Sequence, residues 1–159
     1  NYVAHECILD LRFLKAKTGL TVNDIAKRLI DYSFHAPTIS WPVPETIMIE
    51  PTESESLEEI DRFCAAMQLI AEEIIQVEKD IYPRGNNVIS NAPHTIKQLI
   101  AERWNKPYSK EKAVSPFGKE YDRKFWSPVS RINNALGDRN LVCSCSYQSN
   151  ELLDEKKCA

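Results

Sequence analysis

Phe34-His35-Ala36-Pro37-Thr38-Ile39-Ser40-Trp41-Pro42-Val43-Pro44-Glu45-Thr46-Ile47-Met48-Ile49-Glu50-Pro51-Thr52-Glu53-Ser54-Glu55 reads as a strand pair that ends in a polar loop. From Thr46 to Glu50 apolar residues alternate, with Ile47 and Ile49 on one face and Met48 on the other, and the run stops at Pro51. A period of two is what a strand with one buried face requires. Pro37, Pro42 and Pro44 each remove a ladder donor, which confines the preceding arm to edges, bends or strand ends. An unpaired histidine, a proline-bounded apolar segment and a cluster of carboxylates and hydroxyls come together here.

Both flanks fit a small sheet covered by helices. Upstream, Val3, His5, Cys7, Leu9 and Leu11 alternate with Ala4, Glu6, Ile8 and Asp10, which predicts a strand between Tyr2 and Arg12. Thr21 stands three residues before Asp24, and Val22, Ile25, Ala26 and Leu29 follow at helical spacing, so a short helix should run to about Tyr32. Downstream, Ser56 and Glu59 form a capping box. Leu57, Ile60, Phe63, Cys64, Met67, Ile70, Ala71, Ile74 and Val77 then make an apolar stripe about six turns long. The core should be anchored through Ile60, Phe63, Met67 and Ile74. Strand, helix, strand pair and helix together predict an α+β open-faced sandwich, a mixed or antiparallel sheet with helices on one side. Beyond Tyr82 the sequence is punctuated and aromatic-rich. One further helix is expected from about Pro93 to Arg103, with Ile96, Leu99 and Ile100 on one face. The expected organisation is a core over residues 1–82, an irregular extension over 83–145 packing on that core or on a domain outside the chain, and a fraying tail over 146–159.

Composition narrows the function classes. A chain of 159 residues with 43% hydrophobic and 27% charged content is sized for one core. Its apolar runs fall short of the roughly 20 residues of a membrane helix. The net charge of -3, with both signs interleaved, gives no positive stripe for nucleic acid. An odd count of 5 cysteines points to reduced thiols rather than a disulfide framework. The opening Asn1-Tyr2-Val3 suggests a piece of a longer polypeptide.

His35, before an Ala-Pro step, can stack on a ring or exchange protons; it can equally be a surface histidine. Glu50, Thr52 and Glu53 stand at a strand end, a common position for ligand groups. Helix capping and dipole compensation account better for Glu53, Glu55, Glu58 and Glu59. Arg139 can clamp a carboxylate bidentately or serve a structural ion pair. Cys143 and Cys145 lack the spacing and partners of a zinc site and read as redox-sensitive thiols; no metal is expected. With only 4 glycines and no glycine-rich phosphate loop, the chain is not expected to hold a phosphorylated cofactor by itself.

The run from Phe34 to Glu55 closely resembles the C-terminal region of the glycine cleavage system P-protein, a pyridoxal-phosphate glycine decarboxylase. The likeness extends through Val3 to Arg12, Asp61 to Cys64, Asn91 to Thr95, Tyr108 to Ala113, Lys124 to Trp126 and Gly137 to Cys145. It implies the small domain of a fold-type I pyridoxal-phosphate enzyme, closing over a cofactor that a large domain holds. The implied reaction removes the carboxylate of glycine as carbon dioxide and passes the aminomethyl group to the lipoyl arm of the H-protein. A dimer is implied for the whole enzyme, in the cytoplasm of a bacterium or the mitochondrial matrix of a eukaryote. The resemblance favours His35 as a catalytic group, with Thr38, Glu50, Thr52 and Arg139 near substrate or cofactor. A free-standing small-molecule regulatory domain and a protein-interaction module are the competing readings.

Overall fold

Strands β1 (Cys7–Asp10), β2 (Thr38–Ile39) and β3 (Thr46–Ile49) form a three-stranded antiparallel sheet in the order β1-β3-β2, in a computed structural model that describes residues 4–114, 117–118 and 124–141. The alternating segment is therefore the central strand. Leu9 and Ile39 both lie opposite Ile47, and Cys7 lies opposite Ile49. Ile47 is fully buried, and Ile39 and Ile49 pack against the core, so these residues define the inner face. Pro37 and the Trp41 to Pro44 segment hold β2 to two residues at one edge. The resulting fold is the α+β sandwich expected from the sequence.

Helices α1 (Phe13–Thr18), α2 (Val22–Asp31) and α3 (Leu57–Glu78) make the second layer. The α3 helix spans about 33 Å at 1.5 Å per residue. Ser56 accepts from the Glu59 backbone N–H at 3.2 Å, while the Glu59 carboxylate is held by Arg62 at 2.6 and 2.8 Å. Ser56→Ala should therefore lower stability by about 1 kcal/mol, read as a shift in the denaturation midpoint; an unmoved midpoint would show that the cap contributes nothing.

Three elements differ from the reading of the sequence. The first strand is shorter than the alternation suggests, since only Cys7 to Asp10 pair with β3, and α1 follows from Phe13. That helix buries Leu14 and Thr18 and ends at Gly19, whose φ of 77° lets its N–H reach the Lys15 carbonyl at 3.0 Å. The helix expected over Pro93 to Arg103 is the short α4 (Ile96–Ile100), capped by Thr95 and Gln98. Of its three apolar residues only Leu99 packs on the core, while Ile96 and Ile100 face solvent. Within α3 the deepest residues are Ala66, Ile70 and Val77; Phe63, Met67 and Ile74 are partly buried and Ile60 is exposed.

The core continues past α3 into Val88, Ile89 and Tyr108 and into α5 (Lys110–Val114), which buries Ala113 and Val114. Trp104, Phe117 and Trp126 pack partly against it, whereas Phe125 is exposed. The last described helix is α6 (Asn134–Arg139), with no buried residue. No described helix is long and apolar enough to cross a membrane.

Candidate functional site

Antiparallel pairing gathers the chemistry-bearing residues at one end of the sheet. Thr38 lies opposite Met48, two residues before Glu50. Going back from Thr38 to His35 therefore runs in the same direction as going forward from Met48 to Glu50 and Thr52. His35, Thr38, Glu50 and Thr52 are all exposed there, and the Thr52 hydroxyl is 2.7 Å from that of Ser54. The edge strand adds a residue that the sequence reading left in a strand pattern: His5 Nε2 lies 3.9 Å from a Glu50 carboxylate oxygen and 3.6 Å from one of Glu6. Pairing of Cys7 with Ile49 puts Glu6 beside Glu50, so two carboxylates meet across the strands and the imidazole sits between them. The ligand atoms of His5, Glu6 and Glu50 lie within 4.8 Å of one another, a group that can take a divalent cation and is fully open to solvent. The sheet end thus offers imidazoles, carboxylates and hydroxyls to a polar substrate.

A second constellation is buried. Arg28, on α2, is fully enclosed and forks onto Glu73 of α3 through Nε at 3.0 Å and Nη2 at 2.7 Å. Its other N–H groups donate to Asp31 at 3.0 Å and to the carbonyls of Lys112 and Ala113 at 3.0 Å each. Asp31 in turn accepts from the His94 backbone N–H at 2.8 Å and lies 2.7 Å from Nδ1; Nε2 is 2.8 Å from the Tyr108 hydroxyl. Burial alone pushes the Asp31 carboxyl up, and His94 and Arg28 more than reverse this, holding it below its ordinary value. Burial likewise raises the Tyr108 hydroxyl, which stays protonated. His94 is 2% exposed, so this carboxylate, imidazole and phenol act as a latch that fastens residues 94–113 to α2 and α3. Sequence reasoning assigned these residues no role. Arg28 and Tyr32, one turn apart beside the apolar face of α2, were the available clue, and their guanidinium-to-ring distance is 5.0 Å.

Arg139 stands in the last turn of α6, exposed, and among the described residues no hydrogen bond or ion pair ties it to the sheet end. Cys143 and Cys145 lie outside the described residues. A Cβ added at Gly19, Gly85, Gly118 or Gly137 would meet no protein atom within 4 Å, so the space beside each of the four is open. Burial lowers the Lys124 ammonium to about 8, but its Nζ donates to the Asp31 carbonyl. Lys124 is thus tied to the end of α2.

Residues 1–94 match the family described as glycine dehydrogenase, C-terminal domain. A glycine dehydrogenase (decarboxylating) of Prochlorococcus marinus is 60% identical over 144 residues, covering 91% of this chain and 15% of that protein. A protein of the same name from Nitrobacter winogradskyi is 57% identical over 143 residues, covering 90% of the chain and 15% of its own length. A putative mitochondrial glycine dehydrogenase (decarboxylating) of Schizosaccharomyces pombe is 53% identical over 146 residues, 92% of the chain and 14% of that protein. The chain thus spans about 15% of the length of the relatives it matches. With more than half of its residues inside the family match and the expected sandwich in place, the chain belongs to the family of glycine dehydrogenase C-terminal domains.

Proposed function

We propose that this chain is the part of a glycine dehydrogenase (decarboxylating) that closes over the substrate, within a P-protein that decarboxylates glycine on pyridoxal phosphate and hands the aminomethyl group to the lipoyl arm of an H-protein. The observation that carries this reading is 60% identity across 91% of the chain to a protein of that name. The exposed sheet end supports the position of the site, since closing domains present polar groups at loops next to strand ends. His35 is the group at that edge that meets the reacting atoms, with Thr38, Glu50 and Thr52 beside it and Arg139 as a candidate carboxylate clamp. Residues 1–82 form the small-domain core, and 83–145, with the redox-sensitive pair Cys143 and Cys145, its extension. The remainder of the polypeptide supplies the lysine and the phosphate bed, and the whole enzyme works as a dimer in bacterial cytoplasm or the mitochondrial matrix.

Titration with pyridoxal phosphate tests the division of labour. The full-length polypeptide should give a saturable absorbance band that is lost on changing a lysine outside these 159 residues. This chain alone should give none. A saturable band from the chain alone that Lys124→Met abolishes would place the cofactor here and overturn the assignment.

A further inference from the structure

The apolar arc of α3 is wider than the part of it that is covered. At 100° per residue, Ala66, Ile70 and Val77 point into the core. Phe63, Ile74 and Met67 continue the arc, and Ile60, Ala71, Cys64, Leu57 and Ile75 carry it to roughly 180° before the polar side begins at Gln68 and Asp61. That outer quadrant is open: Leu57 is 73% exposed, Ile75 45%, and Cys64 is a free, exposed thiol.

Three contacts show which way the quadrant faces. Arg62 donates to the Tyr32 carbonyl at 2.9 Å and Glu73 binds Arg28, so α2 lies on the polar flank of the arc. Lys17 of α1 meets Glu78 at 3.3 Å, so α1 and the strand before it lie on the open flank. There Leu9, on the inner face of the sheet by its pairing with Ile47, is 37% exposed, and Phe13 of α1 is 52% exposed. The outer quadrant of α3, beside α1, thus presents an exposed apolar strip about 27 Å long from Leu57 to Ile75, the trough to be covered. Scattered apolar residues on a surface need no explanation, but a contiguous trough at the margin of a core does.

We infer that this trough is covered within one polypeptide, by a helix-wide apolar ridge from the part of the enzyme N-terminal to this domain. The occupant follows from two facts: the matched family is a C-terminal domain, and the relatives carry about 85% of their length outside the matched region, since the match takes 15%. Length and shape suit a helix of about 18 residues laid along α3, because ridges of one helix fill the grooves of another and a four-residue edge strand alone leaves most of the trough bare. The inference rests on membership of the family and not on the role of His35.

Alkylation of Cys64 in the native full-length protein tests it, using N-ethylmaleimide and site-resolved mass spectrometry without substrate or cofactor. Cys64 should react at least about tenfold more slowly than in the same protein unfolded, because modification must wait for local opening. The protection should not change when subunits are dissociated by dilution, and Ile75→Asp in the full-length protein should weaken it. Reaction of native Cys64 at the unfolded rate would overturn the proposal, and so would protection lost on dilution, which would make a second copy the cover. Glycine decarboxylation measured on the same samples reports separately on the function assigned above.

Discussion

Arg28→Met should destabilise the chain by about 3–5 kcal/mol, the cost typical of breaking a buried ion pair from one side. The guanidinium binds Glu73 through two N–H groups, holds Asp31 at 3.0 Å and satisfies two carbonyls of α5. Without it two buried carboxylates lose their counter-ion and two carbonyls lose a donor. Pairing the change with Glu73→Gln should recover part of the loss, since residues in one network are not additive. The sign of the pH dependence follows from Asp31. Its carboxyl is held below the ordinary value in the folded parent, so that contribution is present above the unfolded pKa of about 3.9 and disappears as pH falls through the folded value. In Arg28→Met the stranded Asp31 carboxylate favours protonation, so the deficit relative to the parent should be largest at neutral pH and shrink toward pH 4. Denaturant midpoints at the two pH values measure this. A variant within about 1 kcal/mol of the parent at neutral pH would mean that the network contributes no more than a surface pair does.

What the sequence made legible were elements whose signal is local. Alternation placed β3 and its inner face correctly, because Ile47 and Ile49 meet the helices within a short stretch of chain. The stripe from Leu57 to Val77 gave α3 its length. The same stripe did not say which of its apolar residues would be covered: Ile60 is as apolar as Ile70, and their burial differs because of what packs beside them. The α1 helix escaped because it is only six residues long, with Phe13 continuing the alternation of the first strand, and only the left-handed Gly19 marks its end. The latch was illegible for another reason. Asp31 and His94 are 63 residues apart and His94 and Tyr108 are 14 apart, so no periodicity connects them. At the sheet end, His35, Thr38, Glu50 and Thr52 could be grouped from sequence because one hairpin carries them. His5 comes from the segment just before the other edge strand, and the pairing of that strand brings it to Glu50.

The second large effect concerns His35. Its imidazole is exposed at the sheet end, one residue before an Ala-Pro step that restricts the backbone of Ala36. In the closing domain we propose, a group so placed can stack on a cofactor ring or exchange a proton with the substrate, and general acid–base contributions are of the order of 10²–10⁴ in rate. Asparagine keeps the polarity and approximate length of the side chain and removes its titration. Because the site is exposed, the substitution should leave folding intact, in contrast to Arg28→Met. The deciding measurement is the turnover for glycine decarboxylation by the full-length His35→Asn enzyme, with H-protein and saturating cofactor. A fall of about a hundredfold or more is the predicted result, and a rate within about threefold of the parent from a properly folded enzyme would contradict the placement of the site at this sheet end.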